Sequence, residues 1–287
     1  MPKRRSPVGA HVSVAKGLVR GGLGLADEIG AETVQIFVGN PRGWAAPKVD
    51  EAADHRFAAV AEERGVPVFV HAPYLINFGS ASPATLRNSG DALLFSLVRA
   101  RRVGARGVVL HAGSAGAGAA GGNWRRAMAQ TREALLPVLD TAQLGSTQLL
   151  IEPTAGGGGA LASTLDSLDE YLDFLGRDER IGVCLDTCHL HAAGHDLASP
   201  HQFAATLRAA VTVAGVGGVG LIHLNDSRDP VGSKRDRHAG IGAGTIGLEP
   251  FGALFSTAAV RGIPLVVETE DVRHAEDIAT LKRLRDG

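Results

Sequence analysis

Cysteine is almost missing from this chain, with two thiols, Cys184 and Cys188, among 287 residues. They sit four apart in CLDTCH with no further sulfur to partner them. That excludes a disulfide framework and a cysteine-rich zinc knuckle, and leaves both as expected buried small hydrophobes. Aromatic residues are only 5% of the chain, so the core must be assembled from Ala, Val, Leu and Ile. Long apolar runs are absent as well. Nothing approaches the roughly 18 residues that cross a bilayer, and no apolar stretch follows the basic start MPKRRSPVG as it would in a secretory signal. The expectation is no membrane association and a cytoplasmic location. Charge of one sign is also lacking, since 29 Lys+Arg offset 30 Asp+Glu for a net −1. The basic surplus by which nucleic-acid binders usually announce themselves is therefore not seen.

What the chain does have is glycine, 38 residues of it, and 45% hydrophobic residues, enough for a large core and many turns. Eight short β-type apolar runs recur about every 35 to 40 residues: Gly9–Val14, Thr33–Phe37, Val68–His71, Gly107–His111, Gln148–Glu152, Ile181–Asp186, Val219–Asn225 and Pro264–Glu268. Between them lie helical patterns, at Glu51–Arg64, Pro83–Val103, Trp124–Thr141, Leu165–Leu175, Pro200–Val213, Pro250–Val260 and Ala275–Arg283. Ser82, Ser199 and Glu249 each precede a proline that suits a first helical position. Continuous Val/Ile/Leu strands alternating with helices mean a parallel sheet whose outer face is covered. Eight such units predict an α/β fold, a single (β/α)8 TIM barrel over residues 1–287 with its site at the C-terminal strand ends; a doubly wound sheet is the lesser choice. No linker divides the chain, and the glycine-rich stretches Gly113–Gly122 and Gly156–Gly159 read as loops beyond strand ends.

Six of the eight runs finish on, or contain near their C-terminal end, a residue of metal-ligand type: His71, His111, Glu152, Asp186, His223 and Glu268. His189 follows three residues after Asp186, and Asp236 and His238 lie in KRDRH. A single strand-end histidine is ordinarily structural. This many converging on one barrel face would bury like charges together, at a cost that only cations offset. Imidazole and carboxylate without thiolate suit zinc, manganese or iron. Nine ligands exceed one metal, and two or three close metals form a hydrolytic clamp for phosphodiesters. Two glycine patterns, GVGGVG (Gly215–Gly220) and GAGTIG (Gly242–Gly247), match a dinucleotide fingerprint in letters only, because neither follows a strand and opens a helix. No nucleotide cofactor is expected.

At these same residues the sequence resembles the endonuclease IV family of apurinic/apyrimidinic endonucleases. GAHVS, QIFVGNPRGW, HAPYLIN, LHAGS, EPTAGGG, CLDTCHLHAAGHD, HLNDS, DRHAGIGAGTIG and PLVVET occur in family order across nearly the whole chain. The resemblance implies a trinuclear zinc barrel, with manganese able to substitute, that hydrolyses the phosphodiester 5′ to an abasic site in duplex DNA and leaves a 3′-hydroxyl. It implies His71, His111 and Glu152 on a first zinc, with Glu152 as the catalytic bridge to a second completed by Asp186, His223 and Glu268. His189, Asp236 and His238 would hold the third. Arg42, Tyr74 and Leu75 match the positions that enter the duplex at the lesion. Three zinc ions bring six positive charges and would turn the formal −1 into +5 at the DNA-facing end. Lys234–Arg237 could then meet flanking phosphates.

The chain departs from the family pattern at Pro153, where asparagine is usual, at the glycines that follow, and at Gly43, where glutamine is common. A β/α-barrel sugar isomerase or epimerase is one alternative, although nine ligands would be surplus to it. A non-catalytic lesion-binding protein is the other. No exposed apolar helix argues for a dimer, so a monomer is expected.

Overall fold

The computed structural model describes residues 5–116 and 122–287. Residues 117–121, within the glycine-rich stretch Gly113–Gly122, and residues 1–4 of the basic start lie outside the described residues. Eight parallel strands close into a barrel: β1 (Val8–His11), β2 (Val34–Phe37), β3 (Val68–His71), β4 (Gly107–His111), β5 (Gln148–Glu152), β6 (Ile181–Asp186), β7 (Val219–His223) and β8 (Leu265–Val267). Strand β1 closes the ring by pairing with both β2 and β8. The doubly wound alternative is thereby set aside. The predicted runs and these strands differ mainly at β1, which stops at His11 instead of Val14, and at β7, which stops at His223.

A strand turns alternate side chains to alternate faces, and the inward face fills the barrel. Phe69, Val109, Leu150, Cys184, Leu221 and Val266 form one buried apolar cluster, one residue from each of β3 to β8. Leu150 needs the space that glycine leaves. A Cβ placed on Gly107, Gly182 or Gly220 would approach its side chain to 2.7, 2.9 and 2.7 Å respectively, so these three glycines make room for the plug.

The helices α1 (Gly24–Ile29), α2 (Glu51–Glu63), α3 (Pro83–Arg102), α4 (Gly122–Ala142), α5 (Leu165–Phe174), α6 (Thr187–Ala193), α7 (Pro200–Ala214), α8 (Leu248–Ser256) and α9 (His274–Asp286) surround or top the barrel. Ser82 accepts the Thr85 amide at the start of α3, and Thr164 forms a reciprocal cap with Ser167 at α5. One start signal is corrected. Helix α8 begins at Leu248 with Gly247 as its cap, so Pro250 is its third residue, not its first. Proline is tolerated there because amides in the first turn have no helical partner to lose.

A buried ion pair ties the outer layer to the loop that follows β2. Asp54 of α2 has no exposed surface and meets Arg99 of α3 at 3.0 Å. The same guanidinium donates to the Val38 carbonyl just past β2. Replacing Arg99 with Met would strand a buried carboxylate, and the expected loss is about 3 kcal/mol in urea unfolding. A loss under about 1 kcal/mol would show that Arg102, 3.5 Å from Asp54, replaces it.

Candidate metal centre

The strand period that builds the plug also builds the site. On each of β3 to β8 the residue two positions beyond the plug residue faces the same way but lies at the open end: His71, His111, Glu152, Asp186, His223 and Glu268. Direct register pairs His111 with Glu152 and Asp186 with His223.

Glu152, fully buried, is the centre of the array. Its Oε2 lies 3.4 Å from His71 Nε2 and 3.3 Å from His111 Nε2, while its Oε1 lies 3.0 Å from His223 Nδ1 and 3.3 Å from His189 Nδ1. Asp186 has two tasks. Its Oδ1 accepts the His189 amide at 2.8 Å and so caps α6, while its Oδ2 accepts the Asn225 amide at 2.7 Å. The cap aims His189 at Asp236, with Nε2 to Oδ2 at 3.2 Å, and His238 Nε2 approaches the other Asp236 oxygen at 3.1 Å. The ligand-type atoms fall into three groups, each with its atoms within 4.8 Å of one another: His71, His111 and Glu152; Glu152, Asp186, His223 and Glu268; and His189, Asp236 and His238. All nine residues selected from the sequence meet on this face.

Backbone carbonyls orient several rings. His71 Nδ1 lies 2.7 Å from the Ala72 carbonyl, His189 Nδ1 3.0 Å from the Pro153 carbonyl and His238 Nδ1 3.3 Å from that of Glu268. Each pairing turns Nε2 inward, as metal-binding histidines require. Pro153 has no amide to give, yet the contact uses its carbonyl, so the departure at that position leaves this orientation intact.

The charges are interlocked. Burial pushes the Glu152 carboxyl up, but His223 and His111 together hold it well below the usual carboxylate range, and His223 and His11 do the same for Glu268. Burial pushes His238 down, whereas Asp186 and Asp236 more than reverse that and carry it to about 9. His189 is likewise raised against burial by Asp186, Asp236 and Glu152, and His223 by Cys184 first and then by Glu268 and Glu152. Cys184 and Cys188 are buried and free, as expected. Each also lies within 4.8 Å of two of these residues. Burial pushes both thiols up to about 12, so they remain protonated at neutral pH.

Sequence reasoning missed His11 and Gln35, which touch the array from β1 and β2. Gln35 Nε2 lies 2.7 Å from Glu268 Oε1, and His11 Nδ1 is 3.0 Å from the same amide nitrogen. His11 is itself a strand-end histidine; running the first strand on to Val14 hid that. Asp226 was missed too. Buried in HLNDS, it accepts the amides of Gly242, Gly244, Ile246 and Gly247, which is what the GAGTIG loop is for. A Cβ on Gly244 would come within 2.5 Å of Asp226 Oδ1.

Tyr74 and Leu75 stand at the rim, 46% and 37% exposed. The Tyr74 ring lies 5.2 Å from that of His71 and 5.7 Å from that of His111. Burial of its inner edge, then the nearby Glu268 and Glu152, push its hydroxyl up to about 12. The exposed Arg42 belongs to the adjoining loop, which the Tyr74 amide joins by a 3.0 Å bond to the Pro41 carbonyl. In that loop Gly43 faces Asn40, whose Nδ2 would be 2.7 Å from an added Cβ. Of the basic loop, Arg237 and Arg235 pair with Asp229, and the Lys234 stem lies against Gly156 and Gly157.

A closed β/α barrel with imidazole and carboxylate groups massed at its C-terminal strand ends defines a class of barrel enzymes, and residues 23–285 match the family described as xylose isomerase-like TIM barrels. Two proteins called probable endonuclease 4, from Streptomyces avermitilis and Streptomyces coelicolor, are each 48% identical over 287 residues, covering 99% of this chain and 91% and 96% of theirs. The crystal structure of endonuclease IV from Thermus thermophilus superposes with a TM-score of 0.82 at 31% identity, covering 98% of this chain and 97% of that one. The chain belongs to the endonuclease IV family. An L-ribulose 3-epimerase structure, with a TM-score of 0.69 and 19% identity, shares the fold.

Proposed function

We propose that this protein is a DNA-repair endonuclease that hydrolyses the phosphodiester 5′ to an abasic site in duplex DNA and leaves a 3′-hydroxyl, using three zinc ions held by the nine residues above. The observation that carries the reading is the state of the ligand atoms. Glu152 Oε2 and His238 Nε2 are buried and have ligand-type atoms 3.1 to 3.4 Å away, yet neither makes a well-directed hydrogen bond, and both point into the array. Orphaned polar atoms of this kind are costly unless something absent from the protein alone completes them. The donor set, imidazole and carboxylate, fits zinc and admits manganese.

His71, His111 and Glu152 would hold the first ion, Glu152, Asp186, His223 and Glu268 the second, and His189, Asp236 and His238 the third. Bound zinc supplies a water acidified from 15.7 to roughly 7 and positive charge for phosphate oxygens. The chain's own part is placement. Glu152 directs one carboxylate oxygen toward each of two groups, so the scissile phosphate must sit over its buried end. Hydrolysis adds water to phosphorus and breaks the bond to the 3′-oxygen, which leaves with a proton. Tyr74 and Leu75, beside His71 at the rim, would enter the gap that the missing base leaves, and Arg42 would follow from the neighbouring loop. We expect a monomer that works in the cytoplasm; among the described residues no helix is long and apolar enough to cross a membrane.

The test is a 5′-labelled duplex carrying one tetrahydrofuran abasic analogue. A single nick 5′ to the analogue, extendable by a polymerase and abolished by chelator, is expected, together with about three metal ions per chain. Full activity with one ion, or no nick with sugar epimerisation, would favour the isomerase reading.

Lesion recognition separates from chemistry in a second experiment. An abasic site is cheaper to unstack and bend than intact duplex, and inserted side chains convert the difference into selectivity. Replacing Tyr74 and Leu75 together with alanine is expected to reduce the preference for abasic duplex by about 2 kcal/mol with metal content unchanged. Unchanged preference, or lost metal and early melting, would make both residues part of the rim packing alone.

A further inference from the structure

Gln35 is a fully buried amide at the edge of the array, and it is not itself of metal-ligand type. It sits on β2 opposite His11 in register and makes three contacts at once. Its Nε2 donates to Glu268 Oε1 at 2.7 Å and faces His11 Nδ1 at 3.0 Å, while its Oε1 lies 2.9 Å from His223 Nε2. Only this orientation of the amide works. The flipped one would set a carbonyl against a carboxylate.

The consequence runs through His223. Its Nε2 must carry the proton that Gln35 Oε1 accepts, so in the neutral ring the lone pair lies on Nδ1. Nδ1 is the nitrogen that faces Glu152 at 3.0 Å and Glu268 at 3.0 Å. The other histidines whose outer nitrogen meets a carbonyl present Nε2 inward. His223 is turned the other way, and a side-chain amide stands where they have a backbone carbonyl. Glu268 is held by the same amide and, through its backbone amide, by Asn225 at 2.8 Å.

We propose that Gln35 is a positioning residue that fixes the Nε2-protonated tautomer of His223 and the aim of Glu268, and so sets the affinity of the second of the three metal sites. This rests on the metal reading given above. Partners of this outer kind typically change metal affinity by roughly 10- to 100-fold. Gln35 has no route to the DNA and is assigned none.

The test uses the full chain stripped by chelator and titrated with zinc against a chromogenic competitor, as wild type and as Gln35→Met, which keeps the volume and loses all three polar contacts. One of three zinc-binding steps is expected to weaken by roughly 10- to 100-fold with the other two unchanged, and activity should return at high zinc. Nitrogen-15 spectra of histidine in the zinc-loaded wild type should show His223 protonated at Nε2, a measurement that needs no variant to fold. In Gln35→Met that proton should exchange with solvent. Zinc on Nε2 in the wild type overturns the proposal. So do three unweakened steps in Gln35→Met, and so does a uniform weakening of all three accompanied by early melting of the metal-free protein, which marks Gln35 as packing only. A wild type that takes up no zinc would sink the metal reading itself, an outcome distinct from wild-type affinity in the variant.

Discussion

Glu152→Gln is expected to lower turnover on abasic duplex by at least about 1,000-fold, which is about 4 kcal/mol of transition-state stabilisation, while the duplex still binds within about tenfold. The argument is one of atoms. Four imidazole nitrogens lie 3.0 to 3.4 Å from the two Glu152 oxygens, so whichever way the glutamine amide turns, its NH2 faces two of them. A carboxylate can serve two cations, whereas an amide offers one neutral oxygen. The variant is therefore also expected to retain fewer metal ions. The side chain is fully buried and makes no contact with DNA in this reading, which is why binding should survive. Near-normal turnover would refute the bridging role. Equal loss of binding and turnover with a lowered melting temperature would signal misfolding, and Glu152→Asp, which keeps the charge but shortens the reach, should then restore the fold without the rate.

The barrel was legible in the sequence because the same period-2 rule writes both its plug and its site. Phe69 and His71, Leu150 and Glu152, or Leu221 and His223 are spaced by two in an unbroken apolar run, so the plug keeps each strand in the barrel and the next inward residue falls at the open end. The residues that escaped did so for physical reasons. Helix α6 buries nearly every side chain, so TCHLHAA shows no amphipathic stripe to announce it; the Asp186 cap was its one available signal. Gln35 acts through hydrogen bonds in three directions that only the closed barrel brings together, from β1, β7 and the residue beyond β8. Asp226 works on backbone amides, which no side-chain pattern encodes. The GAGTIG loop matches a dinucleotide fingerprint in its letters, and its amides do converge on an anion, but the anion is the Asp226 carboxylate.

Chelation should do more than stop the reaction. An ion present at 1,000 times its dissociation constant stabilises the folded chain by about 4 kcal/mol, and for a chain of this size that is on the order of 10 °C in melting temperature. The gap between loaded and stripped protein should also depend on pH, with a direction set by the array. In the stripped protein His238 is carried to about 9, and His189 and His223 also lie well above their ordinary value. A histidine raised in this way contributes stability that is complete below its unfolded value of about 6.5 and is lost as pH rises through the folded one. Glu152, Glu268 and Asp236 are lowered. Their contribution is present above about 4.5 and is lost only as pH falls, so it is constant across the neutral range. The stripped protein should therefore weaken between about pH 6.5 and 9 as its imidazolium ions lose their protons. The loaded protein has no such protons to lose. Metal must displace them to bind, and binding tightens as they become scarce. Paired melting curves with zinc and with chelator are thus expected to draw apart from pH 6.5 to pH 9. A constant or shrinking separation would show that these histidines are not displaced by metal, and the assignment of His189, His223 and His238 as ligands would fall with it.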